Sequence, residues 1–205
     1  NELITIKDKI PELKGTRFND VIADPAGRVF CGTMPDESGN AYLFRLDTDG
    51  TLDLILKDVR LANGLGFTPD KKYLYFTDSK KGEIYIFDYD QSDGSIKNKR
   101  LFHKVIDKGI EPDGLTVDAE GYIWSAQWNG HCIKRYSPDG QEDLKIDFPA
   151  KKITCMTFAG DDYSTLYITS AMEGKKQSLT EKAGSLFRIN LEMKGLPENL
   201  SRISL

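Results

Sequence analysis

Asp113, in the stretch Ile110-Glu111-Pro112-Asp113-Gly114-Leu115-Thr116-Val117-Asp118, offers a carboxylate beside a glycine just ahead of an apolar run. Asn63 stands in the same way in Leu61-Ala62-Asn63-Gly64-Leu65, and Asn19 in Arg17-Phe18-Asn19-Asp20. One carboxylate with two amide oxygens is a hard-oxygen donor set. It suits Ca2+ or Mg2+ better than a thiolate-seeking metal. Gly64 and Gly114 let the backbone turn sharply beside the donors. Asn-Gly and Asp-Gly are also common turn dipeptides, so the residue types leave a purely structural role open.

A repeat is what could bring these three positions together. An acidic or glycine turn, a short apolar-aromatic strand, a small polar loop and a second strand recur four times. The first strands start at Arg28, Tyr73, Tyr122 and Thr165, at intervals of 45, 49 and 43 residues. The second strands hold Phe44-Arg45-Leu46, Phe87-Asp88-Tyr89, Lys134-Arg135-Tyr136 and Phe187-Arg188-Ile189. Asp49-Gly50, Asp93-Gly94 and Asp139-Gly140 supply the turns, because glycine reaches positive φ at no steric cost. Each repeat also opens with a strand, around Val21, Gly66, Thr116 and Met156. Further strands follow around Leu54, Leu101 and Leu144. Four short strands at this period predict an all-β chain, a β-propeller of four-stranded blades, with residues 1–205 as one domain. A β-sandwich would not explain the regular phase.

In a propeller the segment entering each innermost strand lies at the mouth of the central channel. Asn19, Asn63 and Asp113 precede their first-strand anchors by nine or ten residues and so are predicted to converge there. Cys155 takes the same phase in the fourth repeat, and Trp128, in a loop, is placed at the pocket rim. Residues 2–6 read as the outer strand of an earlier blade. That pattern, with the missing initiator Met, predicts sequence ahead of residue 1.

Composition narrows the function classes. A net charge of −4 argues against nucleic acid, since a phosphate-binding face needs surplus Lys and Arg. No apolar run has the length that spans a bilayer, and no signal peptide opens the chain. Cys31, Cys132 and Cys155 are an odd set without paired spacing, which predicts free thiols and a cytoplasmic location. No Ser-His-Asp order or nucleophile elbow is present. His103 and His131 have no visible partner and read as structural, and residues 173–182 read as a polar surface loop. Nothing in the sequence sets an oligomeric state.

The segments Arg17-Phe18-Asn19-Asp20, Asp24-Pro25-Ala26-Gly27-Arg28 and Gly32-Thr33-Met34 together resemble the senescence marker protein, regucalcin and gluconolactonase family. Asn63-Gly64-Leu65 with Tyr75-Phe76-Thr77-Asp78-Ser79, then Pro112-Asp113-Gly114 with Trp124-Ser125-Ala126-Gln127-Trp128-Asn129-Gly130, continue the likeness in order. The resemblance implies a six-bladed propeller and metal-dependent hydrolysis of a lactone, typically a sugar lactone. It implies one divalent cation, Ca2+ first, with Zn2+, Mg2+ and Mn2+ as alternatives. It further implies that Asn63 and Asp113 are metal ligands and that Arg17 and Asn19 bind substrate. Glu37 is a weaker match to a substrate carboxylate, because its loop is shorter here. The family's third ligand, a Glu opening the first blade, has no counterpart, since Glu2 falls in an outer-strand pattern. Val21 stands where the family usually has Gly.

The resulting expectation is a hydrolase in which Asp113 accepts a proton from the attacking water while Arg17 and Asn19 orient ring oxygens. The alternative is a non-catalytic propeller scaffold that binds calcium or a protein.

Overall fold

The computed structural model describes residues 4–7, 10, 13, 15–172 and 182–204. Glu2 and residues 173–181 of the polar run lie outside them. Residues 4–6, expected to end a strand, form none.

Fifteen strands are present among the described residues, with one 3₁₀ turn at Ser79–Lys81. The first blade is β1 (Phe18–Ala23), β2 (Val29–Thr33), β3 (Ala41–Leu46) and β4 (Leu52–Val59). The second is β5 (Ala62–Phe67), β6 (Tyr73–Asp78), β7 (Glu83–Tyr89) and β8 (Ile96–Lys104). The third is β9 (Glu111–Val117), β10 (Ile123–Trp128), β11 (Cys132–Tyr136) and β12 (Glu142–Asp147). The fourth is β13 (Lys152–Ala159), β14 (Thr165–Ala171) and β15 (Leu186–Asn190), one strand fewer than the repeat predicts. Every strand pairs antiparallel with its sequence neighbour, so each blade is a meander. The first strands pack side by side in the order β1, β5, β9, β13 around the channel. The fold is a β-propeller.

Strand side chains alternate between the two faces of a sheet, so each blade feeds two cores. Leu74 and Phe76 of β6 pack with Phe30 and Leu43 of the first blade. Tyr75, between them, packs instead with Leu115, Ile123 and Tyr136 of the third. In β10, Trp124 and Ala126 face Met156, Phe158 and Ile168 of the fourth. The period-2 apolar pattern thereby stacks blade on blade.

Polar anchors sit at the end of the inner strands away from the glycine-flanked positions. Asp118, fully buried, accepts hydrogen bonds from the backbone N–H of Glu120 and Tyr122 (both 3.0 Å), from Trp124 Nε1 (2.9 Å) and from Arg135 Nε (2.9 Å). Asp24 holds the equivalent turn of the first blade, with Arg28 Nε at 2.6 Å and the Tyr89 hydroxyl at 2.8 Å. Residues 194–204 cross this same end. Lys194 O accepts from Ala119 N at 2.8 Å, while Arg202 N donates to Gly27 O at 2.8 Å, which ties the third blade to the first.

Candidate active site

All four inner strands break register at the same level. In β1 the pairing jumps from Phe18↔Thr33 to Val21↔Cys31, so Asn19 and Asp20 together oppose Gly32. In β5 Gly64 is the extra residue, between Asn63↔Thr77 and Leu65↔Phe76. In β9 Asp113 and Gly114 oppose Ala126, and in β13 the extra residue is Thr154. A bulge bends its strand and re-aims side chains. Here four bulges turn one ring of residues into the channel.

The glycines are required by close approach. A Cβ on Gly64 would lie 2.6 Å from Asp113 O, and one on Gly114 would lie 2.6 Å from Cys155 Sγ. Side chains there would push the neighbouring inner strands apart.

The bulges open into a cavity of about 430 Å³ lined by Arg17, Asn19, Asn63 and Asp113, the four predicted site residues. Cys155 lines it too, as its phase predicts, and so does Trp128, which ends β10 rather than lying in a loop. Asp20, Ser79, Lys80 and Glu111 also line the cavity, and sequence reasoning assigned them no role. Glu37, His103 and His131 are not among the lining residues. His103 instead stacks on Tyr136 with ring centroids 4.1 Å apart. Asn19 Nδ2 donates to Ala62 O at 3.0 Å, joining the first two blades at the cavity wall. Arg17 Nη1 donates to Phe18 O at 2.9 Å and reaches Asn19 Oδ1 at 3.5 Å. Lys80 Nζ is held by both oxygens of Glu111, at 2.8 and 3.0 Å.

Burial, and next the charge of Asp20, push the Asp113 carboxyl up to about 7, against smaller lowering by hydrogen bonds from Asn63 and the Gly114 N–H. Burial likewise takes Asp20 to about 6. Burial, and next the charges of Asp20 and Asp113, push the Cys155 thiol up to about 12, which disfavours the thiolate that a nucleophile needs.

Among the described residues no group of three or more His, Cys, Asp or Glu forms a metal cluster. The cavity offers a mixed set instead, in which the charge of Asp20 disfavours that of Asp113 and the Asn63 amide stands beside Asp113. Two desolvated carboxylates with an amide fit a hard divalent cation, which would relieve their repulsion.

The family model described as the SMP-30/Gluconolactonase/LRE-like region matches residues 1–172. Pentonolactonase XacC of Haloferax volcanii is 44% identical over 198 residues, covering 93% of this chain and 68% of its own length. Regucalcin of Danio rerio is 38% identical, covering 95% of this chain and 69% of its own. The solved structure of a regucalcin from Agrobacterium tumefaciens, described as a calcium-binding protein, superimposes with a TM-score of 0.85 at 30% identity. That match covers 92% of this chain and 66% of the Agrobacterium chain. The sequence resemblance, the blade order and these matches agree: the chain belongs to the SMP-30/gluconolactonase/LRE-like family.

Proposed function

We propose that the chain hydrolyses a lactone, in the manner of a gluconolactonase, at the cavity where the four inner strands bulge. The observation that carries this reading is the convergence of Asn63, Asp113 and Asp20 with Arg17 and Asn19 on one cavity, in a chain akin to a pentonolactonase. Asn63 and Asp113 would hold a divalent cation, Ca2+ first. When bound, it supplies Lewis-acid polarisation of the lactone carbonyl and acidifies water.

The remaining work falls to the protein's own groups. A carboxylate oxygen of Asp113 accepts the proton of the attacking water as the new C–O bond forms at the lactone carbonyl. The ring C–O bond breaks, and Asp113 returns the proton to the departing ring oxygen, leaving a hydroxy acid. The Arg17 guanidinium presents forked donors, and Asn19 an amide, to substrate oxygens. Trp128 gives one wall an apolar face on which a sugar ring can lie.

Acid release from gluconolactone and from a pentonolactone, followed at constant pH, tests this reading. The expected result is turnover above the spontaneous rate, lost on chelation and restored by Ca2+. Release at the spontaneous rate with every divalent cation would overturn it and favour a non-catalytic scaffold.

A further inference from the structure

Asn63 can serve as a cation donor only if its amide oxygen, not its nitrogen, faces the cavity. The two ends of the amide differ little in shape, so packing alone does not choose between them. The turn between β6 and β7 supplies a partner for the nitrogen end. Asn63 Nδ2 donates to Ser79 Oγ at 3.1 Å, and both residues are buried, 7% and 2% exposed. With Nδ2 donating to Ser79, Oδ1 is the end of the amide left for a cation, which only the oxygen can bind.

Ser79 is itself held on every side. Its N–H donates to Leu61 O at 3.1 Å, two residues before Asn63. Gly82, in a left-handed conformation with φ 68°, closes the 3₁₀ turn by donating to Ser79 O at 3.0 Å. The preceding residue, Asp78, is 1% exposed and accepts from the backbone N–H of Arg60 (3.1 Å) and Leu61 (3.1 Å). The following residue, Lys80, grips Glu111, two residues before Asp113. Three consecutive side chains of one turn thus hold the entry to β5, the Asn63 amide and the entry to β9.

We propose that Ser79 is the positioning residue of the site: its hydroxyl fixes the Asn63 amide with Oδ1 toward the cation, and the Asp78–Lys80 turn holds Ser79 in register with both donor strands. The proposal rests on the cation reading above and adds to it a residue that acts through Asn63. Partners of this kind set the orientation of metal ligands, and their removal costs roughly 10- to 100-fold in affinity.

The test is calorimetric titration of Ca2+ into the metal-free protein, its Ser79→Ala and Ser79→Thr variants, and Asp113→Asn. Thermal midpoints are measured without metal. The expected result is roughly 10- to 100-fold weaker Ca2+ binding in Ser79→Ala, a metal-free midpoint close to the unchanged protein, and affinity recovered in Ser79→Thr, which keeps the hydroxyl. Undiminished Ca2+ affinity in Ser79→Ala, while Asp113→Asn weakens binding, would overturn the role of Ser79 and leave the cation reading standing. A fall in midpoint that accounts for all the lost affinity would reduce Ser79 to a structural residue and also overturn the proposal. Ca2+ binding that is absent from the unchanged protein, or untouched by Asp113→Asn, would overturn the cation reading and the proposal with it.

Discussion

Asp113→Asn is expected to lower lactone hydrolysis by roughly 10²- to 10⁴-fold, the range over which a positioned general base acts. The substitution keeps the shape of the side chain and removes both its charge and its basic oxygen. Cation binding is expected to weaken in the same variant, because a neutral amide replaces the carboxylate donor. A second readout is independent of turnover. Asp113 and Asp20 titrate near 7 and 6 in the folded chain, well above an unfolded carboxyl. The folded state therefore holds extra protons between about pH 4 and pH 7. In chelator, stability should rise as the pH falls through that window and level off below it. Asp113→Asn should flatten this slope and be the more stable form at about pH 8, where the unchanged chain carries two repelling carboxylates. Unfolding midpoints between about pH 5 and pH 8 avoid the opposite trend of Asp88 and Asp162, whose carboxyls are held low. Undiminished turnover would contradict the role of Asp113, and an unchanged slope would contradict the buried pair.

Asp118→Ala is expected to destabilise the fold by about 3–5 kcal/mol, the usual cost of removing one partner from a buried ion pair. The cost here has several named sources. Arg135, 5% exposed, loses a carboxylate at 2.7 Å, and the Trp124 indole N–H loses its acceptor inside the third blade. Two turn N–H groups lose theirs as well. Glu120 and Asp143 still reach Arg135, but both are exposed to solvent and give weaker compensation. For a chain of this size the loss corresponds to roughly 10 °C in Tm. Asp118 lies at the end of β9 away from Asp113, so kcat/KM on a lactone at low temperature should change little. A loss below about 1 kcal/mol in denaturant unfolding would contradict the anchoring role.

The placement of Asn19, Asn63 and Asp113 was legible because it depends on repeat phase, and phase is written in the spacing of apolar strands and Asp-Gly turns. The alternation of Leu74, Tyr75 and Phe76 between two cores follows from the same pattern. Asp20 was not legible for a physical reason. In a regular strand Asn19 and Asp20 would face opposite sides, and only the bulge opposite Gly32 brings both to the cavity. No residue type marks that register slip in the sequence. Ser79 and Lys80 were hidden differently. They lie in a neighbouring turn and meet Asn63 and Glu111 only through the folding of β6 over β5 and the docking of β9. The fourth blade also differs from the repeat, which gives four strands to a blade where the described residues form three.

The proposed divalent cation lies between Asn63 and Asp113 at the ring of bulges. Its most direct test is anomalous diffraction from crystals grown with Mn2+, a stand-in for Ca2+ at oxygen sites. The expected result is one strong peak in the cavity, about 2.0–2.6 Å from Asn63 Oδ1 and an Asp113 carboxylate oxygen. A peak only at surface turns such as Asp36 or Asp90, or no peak in the cavity at saturating Mn2+, would contradict it.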